Sequence, residues 1–266
     1  MKYCMRYNNR SRYLNTFDEI ILKYEHKTSA IIEHIQNYKQ EQRVILNFQE
    51  FEGDILDCKD ILLAAAGHHP QIAIMGTRVQ TAAMKEIGLP WFYGEVVDSW
   101  DKLNGFIKQG VSDVIIGNEF AFNMANIALV CKEANVKVRV YPNVAQSNCA
   151  YVEDTMKQFY IRPEDVSFYE EYVDVMEFYG PTEKQDVLYD IYTKGRWLGN
   201  LKDLILGLKE DINNTVIAGC FGVLRINCGK RCSYSPVCDV CNRFISINNT
   251  IQEVENGELE TNEVPM

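Results

Sequence analysis

The sequence predicts an α/β protein whose core is a TIM-like (β/α) barrel, either regular or incomplete and distorted. From residue 43 onward, short apolar runs alternate with helical stretches at roughly one unit per 20 to 25 residues, as in such barrels. Several of these runs are apolar throughout, which is typical of parallel strands covered on both faces. A doubly wound sheet is the rival topology, but no glycine-rich phosphate loop follows the first predicted strand. We therefore expect the barrel, followed by a C-terminal four-cysteine metal segment.

The first 40 residues are predicted to lie outside the barrel. The first sixteen contain four basic residues and no acid, which indicates a solvated basic arm. From 17 to 38 the spacing of the isoleucine and tyrosine residues fits one or two amphipathic helices. The predicted divisions are an arm with leading helices (1–40), the barrel (41–226), a cysteine segment (227–247) and an acidic disordered tail (248–266).

The barrel is predicted from seven apolar runs and the helical stretches between them. The predicted strands are 44–48, 72–75, 91–94, 114–117, 136–141, 159–161 and 173–178, with a last strand at 216–219 or 223–226. The predicted helices are 55–66, 80–87, 100–109, 120–134 and 163–172. Either topology binds its ligand at the carboxyl ends of the strands, so the candidate site is expected there.

Length, composition and charge exclude several classes of protein. With 266 residues, 47% of them hydrophobic and 24% charged, the chain is long and apolar enough for a large core. It has no run of about 18 apolar residues and no signal-peptide core, so we expect a cytoplasmic protein with no membrane partner. The net charge of −10 lacks the basic excess of a general nucleic-acid coat protein, although it is compatible with a local basic patch.

Four of the nine cysteines form the strongest chemical signal in the sequence. Cys228, Cys232, Cys238 and Cys241 follow the spacing C-x3-C-x5-C-x2-C within fourteen residues. Four thiolates this close can surround one metal centre, because the short loops between them fold back. Zinc and an iron–sulfur cluster both accept four thiolates, and the spacing leaves the two open. It also leaves open whether Cys149 or Cys220 replaces one of the four ligands.

Polar side chains follow the predicted strands and form the candidate site. A charged residue at the mouth of a barrel must be paired or bind a ligand, so charged residues there are candidates for catalysis. The candidate catalytic residues are Glu119, Arg162 and Glu177. The candidate substrate-binding residues are Asn118, Tyr141, Asn143, Gln146 and Asn148 at the strand ends, and Lys230, Arg231 and Arg243 around the cysteines. The last three would bring positive charge to an RNA substrate at the metal site.

Three stretches of the sequence carry a family resemblance. The first, 114–119 with 138–148, looks like a pair of strands of which the second ends in Gln and Asn. The second, 161–166 leading to 175–180, is similar to an Arg-Glu-Leu element and the strand after it. The third, 238–244, resembles a closing pair of cysteines with a basic residue just beyond it. In this order the stretches resemble the U32 family, long labelled "peptidase". The resemblance implies a TIM-like barrel with a 4Fe-4S cluster. It also implies oxygen-independent hydroxylation of RNA bases or of an aromatic ring in a quinone precursor.

Two functions follow as hypotheses. The first is a U32-like iron–sulfur enzyme that hydroxylates a nucleobase in RNA or another aromatic small molecule, with the three candidate catalytic residues positioning the substrate or moving protons. The second is a non-enzymatic barrel protein whose cysteines hold a structural zinc and whose basic rim binds a protein or a nucleic acid. A partner subunit that completes the site is compatible with the sequence. Protease activity is not expected, because no nucleophile–base pair or open metal site can be named.

Overall fold

The computed structural model describes most of the chain up to residue 217. The described residues are 1–7, 11–24, 32–33, 35–145, 158–208 and 211–217, and the single residues 222, 226, 228, 246, 247, 250 and 253. They form a mixed α/β structure, so the predicted fold class is confirmed at that level.

A curled sheet of nine parallel strands forms the centre of the molecule. The strands are β1 (Lys2–Arg6), β2 (Glu19–Lys23), β3 (Arg43–Asn47), β4 (Ile72–Gly76), β5 (Trp91–Tyr93), β6 (Val96–Val97), β7 (Asp113–Ile116), β8 (Lys137–Val140) and β9 (Val175–Glu177). Their order across the sheet is β5-β4-β3-β2-β1-β9-β8-β7-β6, and each neighbouring pair is parallel. The sheet curls into an incomplete barrel, consistent with a distorted (β/α) barrel.

The two outermost strands of the sheet are neighbours along the chain. Only Gly94 and Glu95 separate β5 from β6. The backbone amide of Ser112, just before β7, donates a hydrogen bond of 2.8 Å to the carbonyl of Trp91 in β5. The Ser112 hydroxyl donates to the same carbonyl at 3.1 Å. The two ends of the curled sheet are therefore linked by hydrogen bonds.

Helices connect most of the strands. They are α1 (Lys59–His68), α2 (Thr81–Ile87), α3 (Trp100–Gln109), α4 (Met124–Glu133), α5 (Val166–Tyr169), α6 (Thr182–Lys194) and α7 (Leu201–Leu204). Short 3-10 turns precede four of them, at Ile55–Cys58, Arg78–Gln80, Asn118–Asn123 and Pro163–Asp165. The bounds predicted for α3 are confirmed, because its end signals are strong: the Ser99 side chain caps its first turn, and Gly110 takes the left-handed conformation (φ 83°) that ends it.

The prediction for residues 2–23 was wrong. Lys2–Arg6 is a strand between β2 and β9, with Cys4 and Met5 fully buried, and it is not a solvated arm. Glu19–Lys23 is also a strand, although a helix was expected there. A short apolar run such as 20–22 fits a buried strand as well as one side of a helix, so periodicity cannot separate them. The sheet therefore begins at residue 2, well before the predicted boundary at 41.

Two predicted strands are not found in the sheet among the residues that the structure describes. Residues 159–161 form a buried connection, in which Ile161 bonds through its amide to the Pro142 carbonyl and through its carbonyl to the Tyr192 hydroxyl. Asn214–Val216 is a 3-10 turn, so the predicted strand 216–219 does not start there. The alternative at 223–226 lies outside the described residues except for Ile226. The other predicted strands match β3, β4, β5, β7, β8 and β9, whereas β6 was not predicted.

Candidate active site at the carboxyl ends of the strands

Glu177 and Arg6 lie side by side at the carboxyl end of the sheet. The register pairs Cys4 of β1 with Glu177 of β9, so Arg6 lies two residues farther toward the mouth. Glu177 is fully buried, whereas the Arg6 side chain is 35% exposed. Such a carboxylate is stable in the interior only if it is paired. Glu177 is one of the residues the sequence singled out, and the structure gives it this pairing.

Two guanidinium groups hold the Glu177 carboxylate. Arg6 Nε and Nη2 each lie 3.2 Å from Glu177 Oε1, and Arg139 Nη2 lies 3.5 Å from Oε2. Each oxygen of the carboxylate therefore has its own cation. The arrangement fixes the Arg6 guanidinium at the mouth, where a bound molecule can reach it.

Tyr141 and Tyr179 complete the wall around Arg6. Burial, followed by the charge of the Glu177 carboxylate, raises the pKa of Tyr141 well above its ordinary value, so the Tyr141 hydroxyl stays protonated. The same hydroxyl is hydrogen-bonded to Arg6. The two tyrosine rings meet edge to face with centroids 5.9 Å apart, and the Arg6 guanidinium lies 5.8 Å from the Tyr179 ring centre. Tyr179 is half exposed, which gives the mouth an aromatic surface.

Asn143, predicted to bind substrate, is engaged with the backbone. Its side-chain amide donates to the Tyr179 carbonyl at 2.7 Å and its side-chain oxygen accepts from the Tyr179 amide at 3.0 Å. Asn143 is fully buried. The structure thus shows it holding the exposed tyrosine in place.

A pocket of about 220 Å³ lies beside Arg6, at the carboxyl ends of β1 to β3. Its lining combines charged, amide and aromatic side chains: Arg6, Lys23, Asn47, Glu50, Tyr24 and Phe51. Lys23 Nζ and Glu50 Oε2 pair at 2.6 Å on its rim, and this pairing lowers the pKa of Glu50. Arg6, Lys23 and Tyr24 belong to the region assigned to the arm and its helices, so sequence analysis did not single them out.

Arg162 lies in a second buried cluster. Its guanidinium forms a two-point ion pair with Asp165, with Nε to Oδ2 at 2.7 Å and Nη2 to Oδ1 at 2.8 Å, and donates to Asn214 Oδ1 at 3.3 Å. A side-chain carbon added at Gly222 would lie 2.7 Å from Asp165 Cγ, so the backbone there passes directly against the pair. The pair of Arg162 and Asp165 therefore lies against Gly222, six positions before Cys228 in the sequence.

The other predicted residues have diverse positions. Glu119 is partly exposed in the turn Asn118–Asn123, directly after β7, so it and the backbone of Asn118 lie at the carboxyl end of the sheet. Cys228 is half-buried and packs against the core. The predicted residues outside the described part of the chain are Gln146, Asn148, Lys230, Arg231, Arg243, Cys232, Cys238 and Cys241. Within the described ranges, no group of three potential ligands is arranged to hold a metal.

Sequence reasoning missed a set of buried charges inside the sheet. Arg43 pairs with Asp113 through two bonds of 2.6 and 2.7 Å, and Arg139 bonds to Glu19 and, at 3.2 Å, to Asp113. Burial alone would raise the pKa of Asp113, but hydrogen bonds and charge from Arg43, and then charge from Arg139, lower it to about 2. A charged residue inside an apolar strand pattern, such as Arg139, was the available signal, since it must be paired when buried.

No protein-family model matches the sequence, and no curated protein matches it. No helix in the described ranges is both long and apolar enough to span a bilayer. The candidate site consequently rests on the residues and geometry given above.

Proposed function

We propose that this protein is a barrel enzyme that resembles the U32 family, modifying an aromatic ring or a nucleobase with the help of a 4Fe-4S cluster. The observation that carries the proposal is the mouth of the sheet, where the buried Glu177 carboxylate and the Arg6 guanidinium meet an aromatic wall. The best-supported reaction is hydroxylation, which is what the resemblance implies. Protease chemistry has no comparable support, because no nucleophile paired with a base is found among the described residues of the mouth.

The described sheet supports an eight-unit barrel as the scaffold. β5 and β6 behave as one strand interrupted at Gly94 and Glu95, since β5 pairs with β4 on one side and β6 with β7 on the other. The hydrogen bonds from Ser112 to Trp91 span the remaining gap. On this reading the sheet closes on itself, and its carboxyl ends surround one substrate site.

The residues at the mouth can bind and orient a flat substrate. Arg6 offers a fixed guanidinium, and Tyr179 offers an exposed ring for stacking. Tyr141 keeps its proton and can donate a hydrogen bond to an oxygen of the substrate. Glu177 holds Arg6 in place and sets the local charge, so it acts through Arg6.

Cys228, Cys232, Cys238 and Cys241 would hold the cluster. The donor set fits, because four thiolates are the ligands of a 4Fe-4S cluster, and the Cys228 side chain is half-buried. When bound, the cluster supplies one-electron redox chemistry. The same four thiolates also fit a structural zinc, which is the competing hypothesis.

Metal analysis of protein purified without oxygen tests the proposal. We expect about four irons and about four acid-labile sulfides per chain, with visible absorption, and their loss in Cys238→Ser. Cys58→Ser is the matched control, because Cys58 is a buried free cysteine outside the segment, and it should retain the iron and the colour. One zinc per chain without colour would overturn the enzyme proposal in favour of the structural-zinc protein.

Activity at the mouth is tested separately by substitution of Arg6. Arg6→Gln removes the fixed cation, and we expect it to abolish modification of the substrate while leaving the iron content intact. RNA and small aromatic compounds would be incubated without O2 with the iron-loaded protein, water as the oxygen source and a chemical two-electron acceptor, so that RH + H2O gives ROH, two electrons and two protons. Mass spectrometry would then search for a gain of one oxygen. Activity in Arg6→Gln equal to the unsubstituted protein would show that the chemistry takes place elsewhere.

A further inference from the structure

A larger cavity, of about 620 Å³, opens at the amino ends of the strands, at the opposite end of the sheet from the candidate active site. It is bounded by the first residues of β3, β4 and β8 and by the residues that precede β5, β7 and β9. The proposed function does not use this cavity. Its described lining mixes charged, polar and apolar side chains.

Beside Arg43 and Lys137, which line this cavity, lies a buried carboxylate oxygen that lacks a hydrogen-bond donor. Glu19 is 1% exposed, and within the described part of the chain its Oε1 atom accepts no hydrogen bond. The nearest cations that line the cavity are Arg43, with Nη1 at 3.6 Å, and Lys137, with Nζ at 4.0 Å. Both distances exceed a hydrogen bond. A buried, unsatisfied carboxylate oxygen is costly, so this position favours a molecule that brings a donor.

Lys137 is suited to give way to such a molecule. Its side chain is 42% exposed and belongs to the rim of the cavity. Partial burial, followed by the charge of Arg43, lowers its pKa, so its ammonium group is poorly stabilised where it lies. A long, flexible lysine can swing outward at small cost, and an incoming ammonium group can then reach Glu19 without changing the local charge.

The charges of the lining indicate a ligand that carries both signs. The cations are Arg43, Lys132 and Lys137, and the anions are Glu170, Glu171 and Asp174. The lining has as many cations as anions, so a ligand with a net charge meets groups of its own sign. A dipolar ligand can instead place each of its charged ends next to groups of the opposite sign. Pro70, Pro90 and Val136 add apolar surface for an aliphatic body.

We propose that the amino-end cavity binds a free α-amino acid. Its ammonium group donates to Glu19 Oε1 in place of the Lys137 ammonium. Its carboxylate accepts hydrogen bonds from the displaced Lys137 and from Lys132. The aliphatic part of the ligand packs against the two prolines.

Titration calorimetry with L-leucine, N-acetyl-L-leucine and L-leucine amide tests this proposal. We expect saturable binding of L-leucine and binding at least about tenfold weaker for both blocked analogues, because each lacks one of the two charges. Absence of saturable binding for L-leucine, glycine and L-glutamine at millimolar concentrations would overturn the proposal. Equal binding of the blocked and free forms would overturn the dipolar assignment.

Two substitutions locate the binding. Lys137→Met should weaken L-leucine binding about tenfold or more, since the ligand carboxylate loses its partner. Lys85→Met is the matched control, because Lys85 is an exposed lysine of α2 that bonds to Gln109 outside the cavity, and binding should be unchanged. Equal affinity in Lys137→Met and Lys85→Met would contradict the assignment. The measurement needs no metal, so its failure is distinguishable from failure of the proposed enzyme function.

Discussion

Asp113 shows how one buried residue links the interior charges to acid stability. Its folded-state pKa is lowered to about 2, chiefly by Arg43, and an unfolded Asp titrates near 3.9. The stabilisation is therefore present above about pH 4 and is lost as pH falls through about 2. Linkage gives it a magnitude on the order of 2 kcal/mol.

Substitution of Asp113 tests that residue's contribution. Asp113→Asn leaves Arg43 buried with a weaker partner, and we expect the free energy of unfolding at pH 7 to fall by about 3 to 5 kcal/mol. Urea unfolding between pH 2 and 7 measures it, and the variant should lose less stability than the parent toward low pH. Asp60→Asn, at an exposed position in the first turn of α1, is the control and should change little. Equal losses in the two variants would contradict the pairing.

At the scale of one element, β1 is, with β2, one of the two strands that the sequence analysis placed outside the barrel. Met5 is fully buried between β2 and β9, so we expect Met5→Ala to lower the free energy of unfolding by about 2 to 5 kcal/mol. Lys2→Ala, at the exposed start of the same strand, should cost far less. Denaturant midpoints of both variants give the comparison. A solvated arm would instead leave Met5→Ala as stable as the parent.

Helix α3 offers a matched pair of glycines with opposite expectations. Gly105 lies inside the helix with open space around an added methyl group, so Gly105→Ala should stabilise the protein by about 0.5 to 1 kcal/mol. Gly110 has φ 83°, so Gly110→Ala should destabilise it by about 1 kcal/mol. Thermal unfolding of both variants measures whether each substitution raises or lowers the stability. The same sign for both would contradict the left-handed C-terminal cap of the helix.

At the scale of the whole molecule, the sequence predicted the parallel α/β pattern from β3 onward because those strands carry long or repeated apolar runs. It could not place β1, where Lys2 and Arg6 flank the short buried pair Cys4 and Met5. It identified Glu177 from its place after an apolar run. It could not foresee the partner Arg6, because a contact between residues 171 positions apart depends on which strands pair, here β1 with β9.

Arg139 connects the two ends of the sheet's interior, and its removal should affect the whole fold. It contacts Glu19, Asp113 and Glu177 and is fully buried. We expect Arg139→Gln to cost about 3 to 5 kcal/mol, because three buried carboxylates lose a cation. Arg78→Gln is the control: its pair with Glu95 is largely exposed and should be worth at most about 1 kcal/mol. Urea unfolding compares them, and similar losses would refute the ranking.

The short connection between β5 and β6 has a consequence for how the chain folds. Since only two residues separate the outer strands, the ends of the sheet meet without the entropy cost of closing a long loop. The connection divides the strands into two sets, β1 to β5 before it and β6 to β9 after it. Within each set, strands that are neighbours in the sheet are also neighbours in the sequence. Each set can assemble from neighbouring strands. The single pairing that must wait for both is β1 with β9, and that is the pairing that brings Arg6 to Glu177.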